Sequence, residues 1–231
     1  MKRVIHWFRR DLRISDNTAL SEAAKRAERV IPVFVIEEAF RTGPDVGAAR
    51  LAFLLQSLES LRKNLSELGY RLIVRSGKSE EVLPKLCKET SAQAVFANKR
   101  YEPYAQARDS RVFNALNAAG IGFELFKDSV VWEEQEILTK AGNPFTVYTP
   151  YSKAWKTKRI SAPRSKLPAV RCSERTVHSD PLPRNSEDLG HAMKQELTPA
   201  GERAALERLR QFMAGPIYEY AVNRWLAPPD T

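Results

Sequence analysis

The sequence contains little cysteine and little histidine. Cys87 and Cys172 are its only cysteines, and its three histidines, His6, His178 and His191, lie far apart along 231 residues. Structural metal sites need Cys or His ligands at short spacings, and small secreted domains need a framework of disulfides. Neither pattern is present, so we expect no metal site and a reducing environment for the chain.

Long apolar runs are also missing. Met1-Lys2-Arg3 leads only into the short run Val4 to Phe8, whereas a membrane-spanning helix needs about 20 apolar residues and a signal peptide a longer apolar core. We therefore predict a cytoplasmic protein with no membrane partner.

The glycine motifs of common nucleotide sites are absent as well. The chain has no Gly-x-Gly-x-x-Gly and no Gly-x-x-x-x-Gly-Lys-Ser/Thr. This absence argues against a dinucleotide site of the usual kind and against a P-loop.

The composition is that of a globular protein with a basic balance. Hydrophobic residues make up 43% and charged residues 28%, and the net charge is +9, which suits one large domain or two small ones. Residues 151–177 contribute eight Lys or Arg against one Glu. We interpret this stretch as a solvated linker, with contact to DNA phosphates as the alternative.

Short apolar segments alternate with amphipathic stretches in the first 130 residues, a pattern typical of β-α units. We predict an α/β fold with a doubly wound five-stranded parallel sheet of the Rossmann-like kind, whose ligands bind beyond the carboxyl ends of the strands. The predicted strands are Val4 to Phe8, Val30 to Ile36, Arg71 to Val74, Ala94 to Ala97 and Gly122 to Phe126.

Helices are predicted between these strands and again near the end of the chain. Asp16 is the expected cap of the first, leucines from Leu51 to Leu68 mark the second, which ends at Gly69, and Ser79 opens the third. We divide the chain into an α/β domain (1–130), a Pro-containing linker (131–197) and a helical segment (198–231), with helices from Thr198 to Met213 and from Tyr218 to Trp225.

The segment after the first strand is the most specific in the chain. It reads Trp7-Phe8-Arg9-Arg10-Asp11-Leu12-Arg13-Ile14-Ser15-Asp16-Asn17-Thr18-Ala19-Leu20. Taken alone, its arginines could be solvated or paired with Asp11 and Asp16. The segment, however, resembles the signature of the DNA photolyase and cryptochrome family. Further blocks resemble that family in the same order: residues 98–104 with Arg108-Asp109, residues 142–151 with Trp155, and Tyr220 with Arg224.

The resemblance implies the antenna-binding domain of a class I type deoxyribodipyrimidine photolyase. Such an enzyme uses light and reduced FAD to split cyclobutane pyrimidine dimers in damaged DNA, which it flips out of the duplex. Members of the family continue into a helical domain that holds FAD and the lesion. The resemblance therefore implies no catalytic residue in this chain, no activity for it alone, and a monomer.

The same resemblance implies an antenna chromophore at the carboxyl ends of the second and fourth strands. Positions matching the relatives that bind 8-hydroxy-deazaflavin are Val35, Ile36, Glu37, Arg50, Arg100, Tyr101, Glu102, Tyr104 and Arg108. Tyr104-Ala105 replaces the Asn-Glu of folate-binding relatives, so deazaflavin is favoured over folate, and FMN is a further candidate. The alternative interpretations are a surface charge for Arg50 and a packed core aromatic for Tyr104.

Two positions resemble contacts to the FAD phosphates. They are Tyr220 and Thr231, and the alternative for Tyr220 is an ordinary residue of an amphipathic helix. Two alternatives to a photolyase also stay open: a cryptochrome-type blue-light photoreceptor, and a stand-alone domain that binds a pigment or nucleotide without catalysis.

Overall fold

The computed structural model describes residues 1–38, 40, 46–164, 176–192 and 196–223. Its strands are β1 (Arg3–Phe8), β2 (Arg29–Ile36), β3 (Ile73–Ser76), β4 (Ala94–Asn98) and β5 (Gly122–Phe126). Its helices are α1 (Thr18–Arg26), α2 (Ala48–Glu67), α3 (Ser79–Thr90), α4 (Pro103–Ala118), α5 (Tyr148–Thr157), α6 (Glu202–Met213) and α7 (Pro216–Asn223), with a 3-10 turn at Glu187–Leu189.

The five strands form one parallel sheet in the order β3-β2-β1-β4-β5. The strands are almost continuously apolar because helices cover both faces of the sheet. On one face Val4, Phe8 and Phe34 pack with leucines of α2, and on the other Ile5 and Trp7 pack with residues of α3 and α4. This arrangement confirms the predicted doubly wound α/β sheet.

Two local predictions were wrong. The third strand begins at Ile73, not at Arg71, because the Tyr70 amide still donates to the Leu65 carbonyl of α2 and sheet pairing starts at Val33 opposite Ile73. Asp16 does not cap α1. It has a φ of +49°, and the Asn17 side chain accepts the Leu20 amide at 3.1 Å instead.

The segment predicted as a linker has structure of its own. It contains helix α5, and residues 177–180 run beside β3 at the edge of the sheet. The two predicted C-terminal helices form as α6 and α7, although α6 begins at Glu202 and not at Thr198, and α7 begins at Pro216 and not at Tyr218. Trp225 lies outside the described residues. Within the described ranges, every helix is too short or too polar to cross a bilayer.

Helix α6 is attached to the sheet domain through its first turn. The Glu202 carboxylate accepts the amides of Ile14 and Ser15, both at 2.9 Å. Gly201, with a φ of +98°, lies so close to Ser60 of α2 that a β-carbon there would overlap the Ser60 side chain. The attachment therefore depends on a glycine at this position.

Candidate functional site

The reversal of strand order, where doubly wound sheets usually bind ligands, lies between β1 and β4. Here the chain fills that crevice itself. The buried Arg9 donates from Nη1 to both carboxylate oxygens of Asp109 at 2.6 Å and from Nη2 to the Asn98 carbonyl. Arg9 and Arg108 both lie over the Trp7 ring, at 4.9 and 4.8 Å from its centroid.

Asn98 ties this cluster to the first turn of α1. Its amide nitrogen donates to Asp11 at 2.5 Å and to Asn17 at 2.8 Å, and its oxygen accepts the Ala19 amide at 2.8 Å. Because Asn98 is buried, each of these bonds replaces one to water. The signature segment therefore holds β1, β4 and α1 together at the carboxyl ends of the two strands.

The arginines of the signature find partners far away in sequence. Arg9 pairs with Asp109, Arg13 pairs with Asp128 at 2.9 Å, and the exposed Arg10 lies 3.3 Å from Glu102. The alternative of carboxylate pairing within the segment, to Asp11 and Asp16, was therefore wrong for Arg9 and Arg13. The sheet brings distant carboxylates closer than the local ones.

A cavity of about 650 Å³ lies at the carboxyl ends of β2 and β3, on the β3 side of the strand-order reversal. Its volume is in the range of small-molecule sites. The sheet supplies one side and residues 181–189 the other. The lining consists of Ile36, Glu37, Glu38, Ser76, Gly77, Pro181, Pro183, Asp188 and Leu189.

Glu37 is the buried charge of this cavity. Its carboxylate accepts a hydrogen bond from the Ser79 hydroxyl, and its Oε2 lies 3.6 Å from Nη1 of Arg108. Arg108 in turn contacts Asp109 at 3.2 Å. The cavity is thus joined to the Arg9 cluster by a line of alternating charges, which offsets the cost of burying each one.

The structure brings three of the predicted antenna residues together. Ile36 and Glu37 line the cavity, and Arg108 lies behind Glu37. Arg50 is exposed in the first turn of α2, directly before Leu51, which packs with Leu189 of the cavity lining. Val35 points away, into the core beneath α3 and α4.

The other predicted residues lie around the start of α4. Arg100 pairs with Glu102, and its hydrogen bond lowers the pKa of that carboxyl to about 2. Tyr101 donates to Glu133 at 2.7 Å, and burial, with this hydrogen bond next, raises the pKa of its hydroxyl. Tyr104 is 59% exposed, so the alternative of a packed core aromatic was wrong.

Arg100 faces a different hollow from the cavity. This groove of about 450 Å³ lies between α4 and β5, with Ser110, Phe113 and Phe123 also in its lining. Of the predicted antenna residues, Ile36 and Glu37 thus line the cavity and Arg100 lines this groove.

Of the two predicted FAD contacts, one can be located. Tyr220 lies on α7, 54% exposed, with its ring edge-on to Phe212 at 6.0 Å. Thr231 and Arg224 lie outside the described residues. Sequence reasoning missed the contribution of residues 177–189 to the cavity, and the only signal was the extended Pro181-Leu182-Pro183 segment.

Comparison with known proteins shows the family. The DNA photolyase family model matches residues 4–171. The chain is 34% identical over 228 residues to the deoxyribodipyrimidine photo-lyase of Agrobacterium fabrum, covering 96% of this chain and 47% of that enzyme. It is 36% identical over 222 residues to an uncharacterized 31.6 kDa protein of Synechococcus sp. strain PCC 6716, covering 95% and 78%.

Solved structures support the same family assignment. A bacterial class III photolyase from Agrobacterium tumefaciens superposes with a TM-score of 0.82 at 32% identity, over 100% of this chain and 48% of that one. The chain spans about half the length of these photolyases. It is a member of the DNA photolyase family.

Proposed function

We propose that the chain is the antenna-binding part of a deoxyribodipyrimidine photolyase and that the cavity between β2 and β3 holds the pigment. The observation that carries this proposal is the composition of the cavity. It combines apolar surfaces, Ile36, Leu189 and two prolines, with polar groups at Ser76 and at three carboxylates, Glu37, Glu38 and Asp188. Such a lining suits a planar ring whose N–H and O–H groups donate hydrogen bonds to the carboxylates.

The pigment that we favour over folate is 8-hydroxy-deazaflavin, with FMN as a further candidate. The preference rests on the residues that match deazaflavin-binding relatives, of which Ile36, Glu37 and Arg108 belong to this cavity or adjoin it. The pigment would absorb light and pass the energy on. The residues of this chain would bind and orient it and exclude water, and none is assigned a catalytic role. The assignment to class I stays a prediction.

Repair of cyclobutane pyrimidine dimers is proposed for the longer protein. In that scheme FAD and damaged DNA bind mainly to a helical domain that begins with residues 198–231 and follows a linker at 131–197. The apolar side chains of α6 and α7 support this division. Leu206, Leu209, Met213 and Ile217 are 40–55% exposed, as expected for helices that pack against further helices.

A fluorescence titration of the purified chain tests the antenna proposal. We expect saturable binding of 8-hydroxy-deazaflavin, and no saturable binding of ATP. Ser76→Phe, at the exposed rim of the cavity, should weaken pigment binding at least about tenfold by occupying the site. The matched control Ser110→Phe fills the α4–β5 groove instead and should leave the affinity unchanged. If Ser110→Phe weakens pigment binding and Ser76→Phe does not, the pigment binds in the α4–β5 groove. Saturable ATP binding would contradict the antenna proposal.

A second candidate is a pigment-binding protein without catalysis. It is favoured by the coverage of 78% of the short Synechococcus relative. A third reading, a cryptochrome-type photoreceptor, shares the same sequence blocks. Light-dependent repair of pyrimidine dimers by a protein that joins this chain to an FAD domain would support the photolyase over both.

A further inference from the structure

The segment of residues 177–189, here called the connector wall, is fastened along the outer edge of β3. The Asp180 amide donates to the Val74 carbonyl at 2.9 Å, and the Val74 amide donates to the Ser179 hydroxyl at 2.9 Å. The Ser76 amide donates to Oδ2 of Asp180 at 2.7 Å. These bonds satisfy backbone groups of a strand that would otherwise be an open sheet edge.

Side chains of the connector wall reach both faces of the sheet. Val177 packs on the core beneath α3 and α4, and Leu182 packs on the core beneath α1 and α2. Farther along, the buried Leu189 packs with Leu51 and Leu55 of α2. The wall is therefore fixed at two places, β3 and α2, and spans the cavity between them.

The span between these two attachments provides nearly half of the cavity lining. Pro181, Pro183, Asp188 and Leu189 face Ile36, Glu37 and Ser76 across the cavity. Proline and leucine offer flat or compact apolar surfaces with little rotamer entropy to lose on binding. Without the wall, β3 would be an open edge strand, and the carboxyl ends of β2 and β3 would have little to enclose a ring.

We propose, on the basis of the antenna function above, that the connector wall is a binding element and that pigment and wall stabilise each other. The ligand class is a planar heteroaromatic ring, held between the ends of β2 and β3 and the prolines of the wall. Asp180 is a positioning residue: it does not line the cavity, but it fastens the wall to Ser76. If the ligand binds more tightly when the wall is attached to β3 and α2, then bound ligand must stabilise that attachment to the same extent, because coupling between two equilibria is reciprocal.

The test combines affinity with protection from protease. Asp180→Ala removes the acceptor of the Ser76 amide, whereas the matched control Asp180→Asn keeps an acceptor oxygen. We expect Asp180→Ala to weaken binding of 8-hydroxy-deazaflavin by about tenfold or more, the size expected for loss of one charge-assisted hydrogen bond. Asp180→Asn should bind nearly as well as wild type.

Trypsin reports the state of the wall directly, because the Arg184 side chain within it is 88% exposed. Saturating 8-hydroxy-deazaflavin should slow cleavage after Arg184 in wild type and less so in Asp180→Ala. If wild type binds pigment but Asp180→Ala has unchanged affinity, or if pigment does not protect Arg184, the connector-wall proposal is wrong and the antenna proposal stands. If wild type binds neither 8-hydroxy-deazaflavin nor FMN, both proposals are wrong. If Asp180→Ala fails to fold, the connector-wall proposal is tested by wild type alone, through the protection of Arg184 from trypsin by the pigment.

Discussion

His6 should make the protein sensitive to mild acid. Its ring is completely buried in the middle of β1, edge-on to Phe8 with 4.3 Å between the ring centroids. Among the described residues, neither ring nitrogen has a hydrogen-bond partner. Burial lowers the pKa of His6 from 6.5 to about 4, since a charged imidazolium there would lose its hydration.

The sign and size of the effect follow from proton linkage. Above pH 6.5 the ring is neutral in the folded and unfolded chains, and His6 adds no pH dependence. Between pH 6.5 and about 4 only the unfolded chain takes up the proton, so the free energy of unfolding falls. At about 1.4 kcal/mol per pH unit, the total loss is about 3 kcal/mol, and it levels off at lower pH.

Urea unfolding of wild type and His6→Leu at several pH values between 7.5 and 4 measures this loss. Leucine has a similar volume and no titratable group, so the variant should lose about 3 kcal/mol less over this range. It should also be at least as stable as wild type at pH 7.5, because two unpartnered polar atoms disappear from the core. Ile5→Leu, a volume-conserving change in the same strand that removes no titratable group, provides the control and should keep the wild-type profile. Equal pH dependence in wild type and His6→Leu would refute the reasoning.

Three further substitutions test the contacts at the carboxyl ends of β1 and β4 and the attachment of helix α6. Arg9→Met should lower the free energy of unfolding by about 3 kcal/mol, the low end for a broken buried ion pair, because the Asp109 carboxylate loses its closer cation and keeps only Arg108 at 3.2 Å. Adding Asp109→Leu should restore much of the loss in urea unfolding, and a double variant as unstable as Arg9→Met would contradict this. Asn98→Ala should cost about 3 kcal/mol through three lost hydrogen bonds, whereas the exposed Asn114→Ala should change stability by less than about 0.5 kcal/mol. Gly201→Ala should speed hydrogen exchange in α6 and not in β1, and unchanged exchange in α6 would show that this close contact is unimportant.

The alternation of apolar and amphipathic segments was sufficient to predict the sheet. The strands buried on both faces, β1, β2 and β4, are read directly from their sequences. The edge strand β5 is only partly buried, yet it has the predicted bounds. The start of β3 and the cap of α1 were missed because they depend on pairing partners. Asp16 and Asn17 have similar local preferences as caps, and the contacts of the Asn17 side chain with Asn98 and with the Arg13 carbonyl separate them.

The site was harder to predict than the fold. Arg9 and Asp109 are 100 residues apart, so nothing in the local sequence identifies them as a pair. The connector wall is a stronger example of contacts that the local sequence does not reveal. Its bonds to β3 join residues more than 100 positions apart, and two of them use side-chain oxygens of Ser179 and Asp180 that are common in any loop. Composition marked the segment as extended but could not indicate which edge it covers.

The position of the cavity follows from what the signature segment does. In most doubly wound sheets the strand-order reversal stays open for a ligand, and glycines there let a phosphate approach the backbone. This chain has Arg9, Asp11 and Asn17 at that place instead, and together with Asn98 and Asp109 they close the crevice. The next available space at the carboxyl edge lies beside β2 and β3, where Gly77, with a φ of +132°, begins the turn into α3. Arg9 and Arg13 of the signature segment therefore act as scaffold here, which is why we propose that the ligand binds at the connector wall instead.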